Sequence, residues 1–272
     1  MRPLAVLALA GCNSVFGNNS VQRIDAQFFD AIDAPSQCPP IGQTPHFSTV
    51  LHQDFIQNCM GYRISSGRAA SACTVGDGYR VFEGPIDQPL QLVPELVAAG
   101  PSSLYDRVLL SSDAQTMFLH EIDFDTGMGA TRAARRQLDG TWQLQAPPEL
   151  GQNPNDLPAS VARGPTGDHA LVRASDLTIH EWIDDGGTWR EAQVHAFDSD
   201  TLDAQLSADG LRVTLYTSKL EYLFSDRPDE DSPFREPEPL PGAPHASLAP
   251  AITEDCARLY VTGLDSVFYV QQ

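Results

Sequence analysis

The histidines and paired carboxylates are the first residues to test for chemistry. His120-Glu121 and His180-Glu181 each begin an HExxH pattern, in which a second histidine four residues on would share a metal with the first. Phe124 and Asp184 stand at those positions instead, so both pairs read as strand residues. Asp123-Phe124-Asp125-Thr126-Gly127 alternates carboxylates and ends in glycine, a spacing that can begin to wrap a hard cation. The distal glutamate of a complete calcium loop is missing, so Asp123 and Asp125 read by default as a turn closed by Asx hydrogen bonds, as does Asp184-Asp185-Gly186-Gly187. No cofactor is expected; calcium is the metal that so acidic a surface would favour. Ser65, Ser66 and Ser71 around Gly67 lack the G-x-S-x-G spacing of a nucleophile elbow. With 36 acidic residues, carboxylate pairs at glycosidase-like separations arise by chance, and none is singled out. The run DRPDED at 226–231 reads as a solvated loop edge, and Arg135-Arg136 as a surface pair on a strand.

The elements that would position such residues belong to a chain of 272 residues with 17 basic and 36 acidic side chains, a net charge of −19. Phosphate backbones and anionic head groups are bound by clustered Lys and Arg, so nucleic acid is excluded as a partner. The length suffices for a sizeable apolar core without help from metals or disulfides.

The N-terminus reads MRPLAVLALAG, one positive charge followed by an apolar run from Leu4 to Ala10. That run is too short to span a bilayer, which takes about 20 apolar residues, but has the length of a signal h-region. Leu9-Ala10-Gly11-Cys12 resembles the lipobox of bacterial lipoproteins. The resemblance implies a signal peptide at 1–11 and acylation of Cys12 as the new N-terminus. Asn13 stands where an aspartate would signal inner-membrane retention, which implies the outer membrane of a bacterial envelope. Residues 12–45 read as a lipidated tether without sustained periodicity, and the 26 residues from Cys12 to Cys38 span roughly 30 Å as a flexible coil. In an oxidising compartment, the even set Cys38, Cys59, Cys73 and Cys256 suits two disulfides. Three connectivities are open. The favoured one pairs Cys59 with Cys73 across a short loop and leaves Cys38 to meet Cys256. Zinc is the competing reading, but no C-x-x-C pair or suitably spaced histidine supports it.

From residue 46 on, short apolar runs alternate with turn formers every eight to twelve residues, which predicts an all-β domain over 46–272. Even 130–138, the segment with helical propensity, falls where a repeat requires a strand. An acidic turn followed by an apolar strand recurs at Asp113, Asp168, Asp209 and Asp255. A downstream aromatic recurs at Trp142, Trp189 and Phe234. Both markers keep a period near 45 residues, the length of one four-stranded propeller blade. Units can be drawn at 99–151, 154–198, 201–240 and 245–272, with a degenerate one at 46–97. Five blades fit these units, six would require a hidden one, and the rival architecture is a β-sandwich over 46–98 followed by an incomplete propeller.

LSADGLRVTLYTS with DSPFREPEPL, and then 251–270, resemble the WD-like repeats of exported bacterial propellers of the TolB type. The resemblance covers about 99–272 well and 46–98 poorly; Gly210 keeps the glycine after the aspartate, where Ala114, His169 and Cys256 replace it. It implies a propeller held at the membrane by its N-terminal lipid, presenting a non-catalytic surface to an envelope protein or saccharide. The alternative is a hydrolase or lyase on carbohydrate or peptide, with acidic residues at the channel.

Overall fold

The computed structural model describes residues 49–53, 59–76, 78–100, 102–146, 148, 150, 151, 153, 156–164, 167–195, 197, 201–207, 209–241, 243, 248–253, 257–262 and 267–271. They belong to one compact unit, Ser36–Gln272. Among the described residues, no helix is long and apolar enough to cross a membrane.

The described strands form five four-stranded antiparallel sheets. β1 (Thr49–Gln53) leaves the chain segment that follows it and pairs elsewhere. Sheet I is β2 (Cys59–Ser65), β3 (Arg68–Val75), β4 (Gly78–Pro85) and β5 (Gln91–Leu92). Sheet II is β6 (Ser103–Leu110), β7 (Thr116–Asp123), β8 (Met128–Arg136) and β9 (Trp142–Leu144). Sheet III is β10 (Leu157–Gly164), β11 (Gly167–Arg173), β12 (Ile179–Asp184) and β13 (Trp189–His195). Sheet IV is β14 (Thr201–Leu206), β15 (Arg212–Thr217), β16 (Tyr222–Asp226) and β17 (Glu238–Pro239). Sheet V is β18 (Leu248–Ile252), β19 (Arg258–Thr262) and β20 (Val267–Gln271), completed by β1, which pairs with β20 from Thr49↔Gln271 to Gln53↔Val267. Four sheets are thus built from consecutive strands and the fifth from both ends of the domain. The 46–97 unit holds one four-stranded blade, β2 to β5, rather than a sandwich, and β1 ahead of it completes sheet V, as an N-terminal strand does in a closed propeller.

The first strands of successive sheets touch in order, β2 to β6, β6 to β10, β10 to β14, β14 to β18 and β18 back to β2, so the sheets close into a propeller. The core follows the same plan, one apolar cluster per interface. Val81 and Leu96 meet Val108 and Leu119; Leu109 and Phe118 meet Val172 and Trp182; Leu171 and Ile179 meet Leu206 and Val213; Phe224 and Leu240 meet Leu259 and Val261; Tyr62 meets Tyr260 across the closing seam.

Each blade is covered on both faces, so its second strand lacks the alternation of a half-buried sheet: all six residues of β15 are buried, as are Met117 to Glu121 in β7. The blades converge on the axis, where Ala159, Ala162, Ala204 and Ala251 let inner strands approach their neighbours. The segment with helical propensity is β8, because register with β7 and burial of Ala133 and Ala134 override local preference.

Candidate functional site

All five inner strands carry a register irregularity, between Met60 and Arg63, Tyr105 and Arg107, Pro158 and Ser160, Thr201 and Asp203, and Leu248 and Pro250. A bulge re-aims the side chains that follow it. Here, three of the five deliver a charged group towards the axis. Asp203 accepts hydrogen bonds from Arg63 on Oδ2 and from Arg107 Nη1 on Oδ1, the latter at 3.0 Å. Sheets I and II are not neighbours of sheet IV, so both ion pairs cross the middle of the ring. Arg63 also donates to the Pro250 carbonyl at 3.4 Å, which ties in sheet V. Arg63 is 5% exposed. Burial lowers its pKa and the adjacent Arg107 lowers it further, while Asp203 opposes both effects. Arg173, the last residue of β11, lies in the same field: burial and Arg107 lower its pKa and Asp203 raises it.

A second group of charges sits between blades. Arg227 follows β16, is 0% exposed, and donates to both oxygens of Glu181 in β12, each at 2.8 Å. Its Nε reaches the Gly210 carbonyl at 2.8 Å and its guanidinium lies 4.5 Å from the Phe234 ring centroid. Glu181 also pairs with His169 Nδ1 at 2.7 Å and His195 Nε2 at 2.8 Å. Burial alone would raise the Glu181 pKa, but hydrogen bonds from His169, His195 and Arg227 overcome this and hold the carboxyl well below the usual range. Arg136 repeats the arrangement at the interface of sheets I and II. It donates to Glu83 of sheet I at 2.7 Å and to the Ala114 carbonyl at 3.4 Å, and lies 4.5 Å from the Trp142 ring centroid. The closing seam has its own version, in which Arg258 and Tyr260 of sheet V donate to Asp87 beyond β4, the tyrosine at 2.6 Å.

These contacts correct two sequence readings. Arg136 is a partly buried latch rather than a surface residue, and in the 226–231 run Asp226 and Arg227 are buried. Neither could be told from an exposed charge, because the partners of Arg136 and Arg227 lie in other blades and Asp226 meets Arg212 only once β15 and β16 are paired.

The repeat markers occupy distinct positions. Asp113 Oδ1 accepts from Ser111 Oγ at 2.6 Å and the Gln115 amide at 2.9 Å, and Asp209 Oδ1 from Ser207 Oγ at 2.6 Å and the Leu211 amide at 3.1 Å. The next residue turns left-handed in both: Gly210 has φ +68° and Ala114 +53°. A non-glycine residue there costs about 1 kcal/mol. Asp168 instead lies on β11 opposite Arg163 and accepts from Ser112 of sheet II. Trp142 and Phe234 provide faces for the latch arginines, whereas Trp189 packs edge-on against Phe118 of sheet II at 5.9 Å. Asp255 lies outside the described residues.

Cys59 and Cys73 form a disulfide across the first pair of β2 and β3. Cys12, Cys38 and Cys256 lie outside the described residues. Asp123 Oδ1 accepts from the Asp125 and Thr126 amides at 2.9 and 3.1 Å, and Asp125 Oδ2 from Ser102 Oγ at 2.5 Å. Among the described residues, no three His, Cys, Asp or Glu side chains are grouped to hold a metal. The axial arginines were missed from the sequence; the available signal was an arginine in the middle of a first strand, at Arg63 and Arg107.

No family model matches the chain, and no curated protein sequence is similar to it. Similar solved structures include TolB from Acinetobacter baumannii, at 11% identity, 79% coverage of this chain and TM-score 0.48. The match covers 55% of that TolB chain, so this chain spans about half its length. A protein of unknown function from Dyadobacter fermentans is 14% identical, covering 84% of this chain and 98% of its own at TM-score 0.49. A putative glycosidase from Bacteroides thetaiotaomicron is 11% identical, covering 86% and 95% at TM-score 0.47. At these values, none bears on activity; the propeller assignment rests on the sheet topology and the five core clusters.

Proposed function

We propose that the chain is an exported lipoprotein, anchored through Cys12 in the outer membrane of a bacterial envelope, whose propeller is a non-catalytic binding module for an envelope protein or saccharide. The observation that carries the binding reading is the use made of buried ionisable groups. Glu181 is held by two histidines and a bidentate arginine, Glu83 by Arg68 and Arg136, and both oxygens of Asp203 by guanidinium groups. Carboxylates so engaged tie blades together and have their oxygens occupied by protein donors, whereas acid–base catalysis needs a group open to exchange a proton with substrate. A ring latched in this way presents its loops as a pre-organised surface, which lowers the ordering cost of binding.

The lipobox-like segment and the all-β domain beyond it support the anchored arrangement. Its test is fractionation of cells expressing the wild type and Cys12→Ser, followed by crosslinking in intact cells. The wild type should sediment with membranes and the variant should be released; identical fractionation overturns the anchor. Propeller-dependent capture of one envelope component supports the module, and release of a cleaved saccharide or peptide by the purified chain overturns the non-catalytic reading.

A further inference from the structure

The axial cluster is unbalanced. Arg63 and Arg107 both pair with a single carboxylate, Asp203, and Arg173 at the end of β11 feels the charges of Arg107 and Asp203, in a chain whose net charge is −19. Bulges in β2, β6 and β14 bring Arg63, Arg107 and Asp203 together, and the last residue of β11 adds Arg173. Asp203 Oδ2 accepts from Arg63 and Oδ1 from Arg107 and the Ala204 amide, and among the described residues no hydrogen bond or ion pair joins Arg173 to this carboxylate. Arg173 Nε is sealed from solvent and has no hydrogen-bond partner among the described residues. Elsewhere in the ring, the arginines that cross a seam, Arg136, Arg227 and Arg258, each meet a carboxylate, at Glu83, Glu181 and Asp87. The axis departs from that rule. A guanidinium drawn out of water without a full set of acceptors is costly unless an anion supplies them. Guanidinium forks match the planar oxygen pairs of carboxylates and the oxygens of phosphates.

We propose that the channel axis is an anion-binding site, in which Arg107 and Arg173 take the carboxylate or phosphate group of a ligand beside the Arg63–Asp203 ion pair. The site rests on the binding-module reading and gives it a ligand chemistry: one compact oxyanion group, presented by a small molecule or by the end of a larger partner narrow enough to enter the ring. Arg63 is a positioning residue here, since it holds Asp203 and is closed off by burial.

The test is calorimetric titration of the full chain in detergent with succinate and, separately, with inorganic phosphate, at ionic strength held constant with sodium chloride. The two probes distinguish a carboxylate from a phosphate source. Saturable binding to either is expected, weakened at least tenfold in Arg173→Gln. The unliganded thermal midpoint of that variant should stay level or rise, because a charge repelled by Arg107 has been removed. Arg173→Lys keeps the charge and loses the fork, so it should bind as poorly as Arg173→Gln. Equal affinity in wild type and Arg173→Gln, or no binding of either probe by the wild type, overturns the site. A fall in thermal midpoint with no change in anion binding overturns it as well, since it marks Arg173 as structural. Partner capture in cells that persists in Arg173→Gln overturns the axial site as the partner's seat while leaving the binding module standing; loss of capture by the wild type removes the module itself.

Discussion

Replacing Arg227 with alanine tests whether the ring is held by its latches. The side chain is wholly buried and makes two charge-assisted hydrogen bonds to Glu181 at 2.8 Å, one to the Gly210 carbonyl at 2.8 Å and one to the Glu230 carbonyl at 3.0 Å, over the face of Phe234. Its loss leaves Glu181 charged in the seam with only His169 and His195 beside it. Removing one partner of a buried ion pair costs about 3–5 kcal/mol, which for a domain of this size lowers the thermal midpoint by roughly 10 °C. Arg136→Ala is the internal control, because Glu83 keeps Arg68 when Arg136 is gone and Arg136 itself retains some solvent. That change should cost only about 1–2 kcal/mol. Urea unfolding of both variants, with midpoint and slope fitted separately, reads the difference. Equal losses, or a loss below about 1 kcal/mol for Arg227→Ala, would refute the latch argument. The double substitution Glu181→Gln with Arg227→Met should recover part of the stability lost in Arg227→Ala, since it removes the stranded charge as well as its partner.

The Glu181 carboxyl, held below its ordinary value of 4.5 by His169, His195 and Arg227 against the opposing effect of burial, makes part of the stability pH-dependent. A depressed folded-state pKa contributes stability that is fully present above the unfolded value and is lost as pH falls below it. Urea midpoints between pH 7 and pH 3 should therefore fall more steeply for the wild type than for Glu181→Gln, and parallel slopes would contradict the assignment. The Cys59–Cys73 bridge closes a loop with a sequence separation of 14. Cys59→Ser with Cys73→Ser should cost about 3 kcal/mol, with anion binding at the axis unchanged. A change in that binding would show that β2, which carries Arg63, is not held in place by its pairing to β3 alone.

The propeller was legible because its repeat is written in turns. Asp113 and Asp209 close the same hairpin through the same serine and amide contacts, and that chemistry survives where the following residue changes from Gly210 to Ala114. Trp142 and Phe234 were visible as a periodic aromatic, though not as faces for Arg136 and Arg227. The latches themselves were hidden. Each joins residues tens of positions apart, such as Arg227 to Glu181 and Arg258 to Asp87, and in so acidic a chain nothing local marks which carboxylate is buried. The axial group was hidden for a further reason: the bulges that gather it interrupt the register of β2, β6 and β14, and a bulge shows only when a strand is paired with its neighbour.

The distribution of the basic residues sharpens the meaning of the net charge. Lys219 is the only lysine in the sequence, so the cationic complement is almost wholly arginine. Eight of those arginines, at 63, 68, 107, 132, 136, 212, 227 and 258, are paired with carboxylates in the described structure. Arginine is suited to this use, since its planar fork can take two acceptors at once and loses less freedom per hydrogen bond than a lysine would. Five of the eight cross a seam or reach the axis, and Arg68, Arg132 and Arg212 pair within their own sheets. Each of these pairs withdraws an acid along with its arginine, so the acids behind the −19 lie mostly outside them and repel an approaching anion. An anionic ligand that reaches Arg107 and Arg173 must cross that field. Its association rate should then rise with added salt, as screening weakens the outer repulsion, even as its affinity for the guanidinium groups falls.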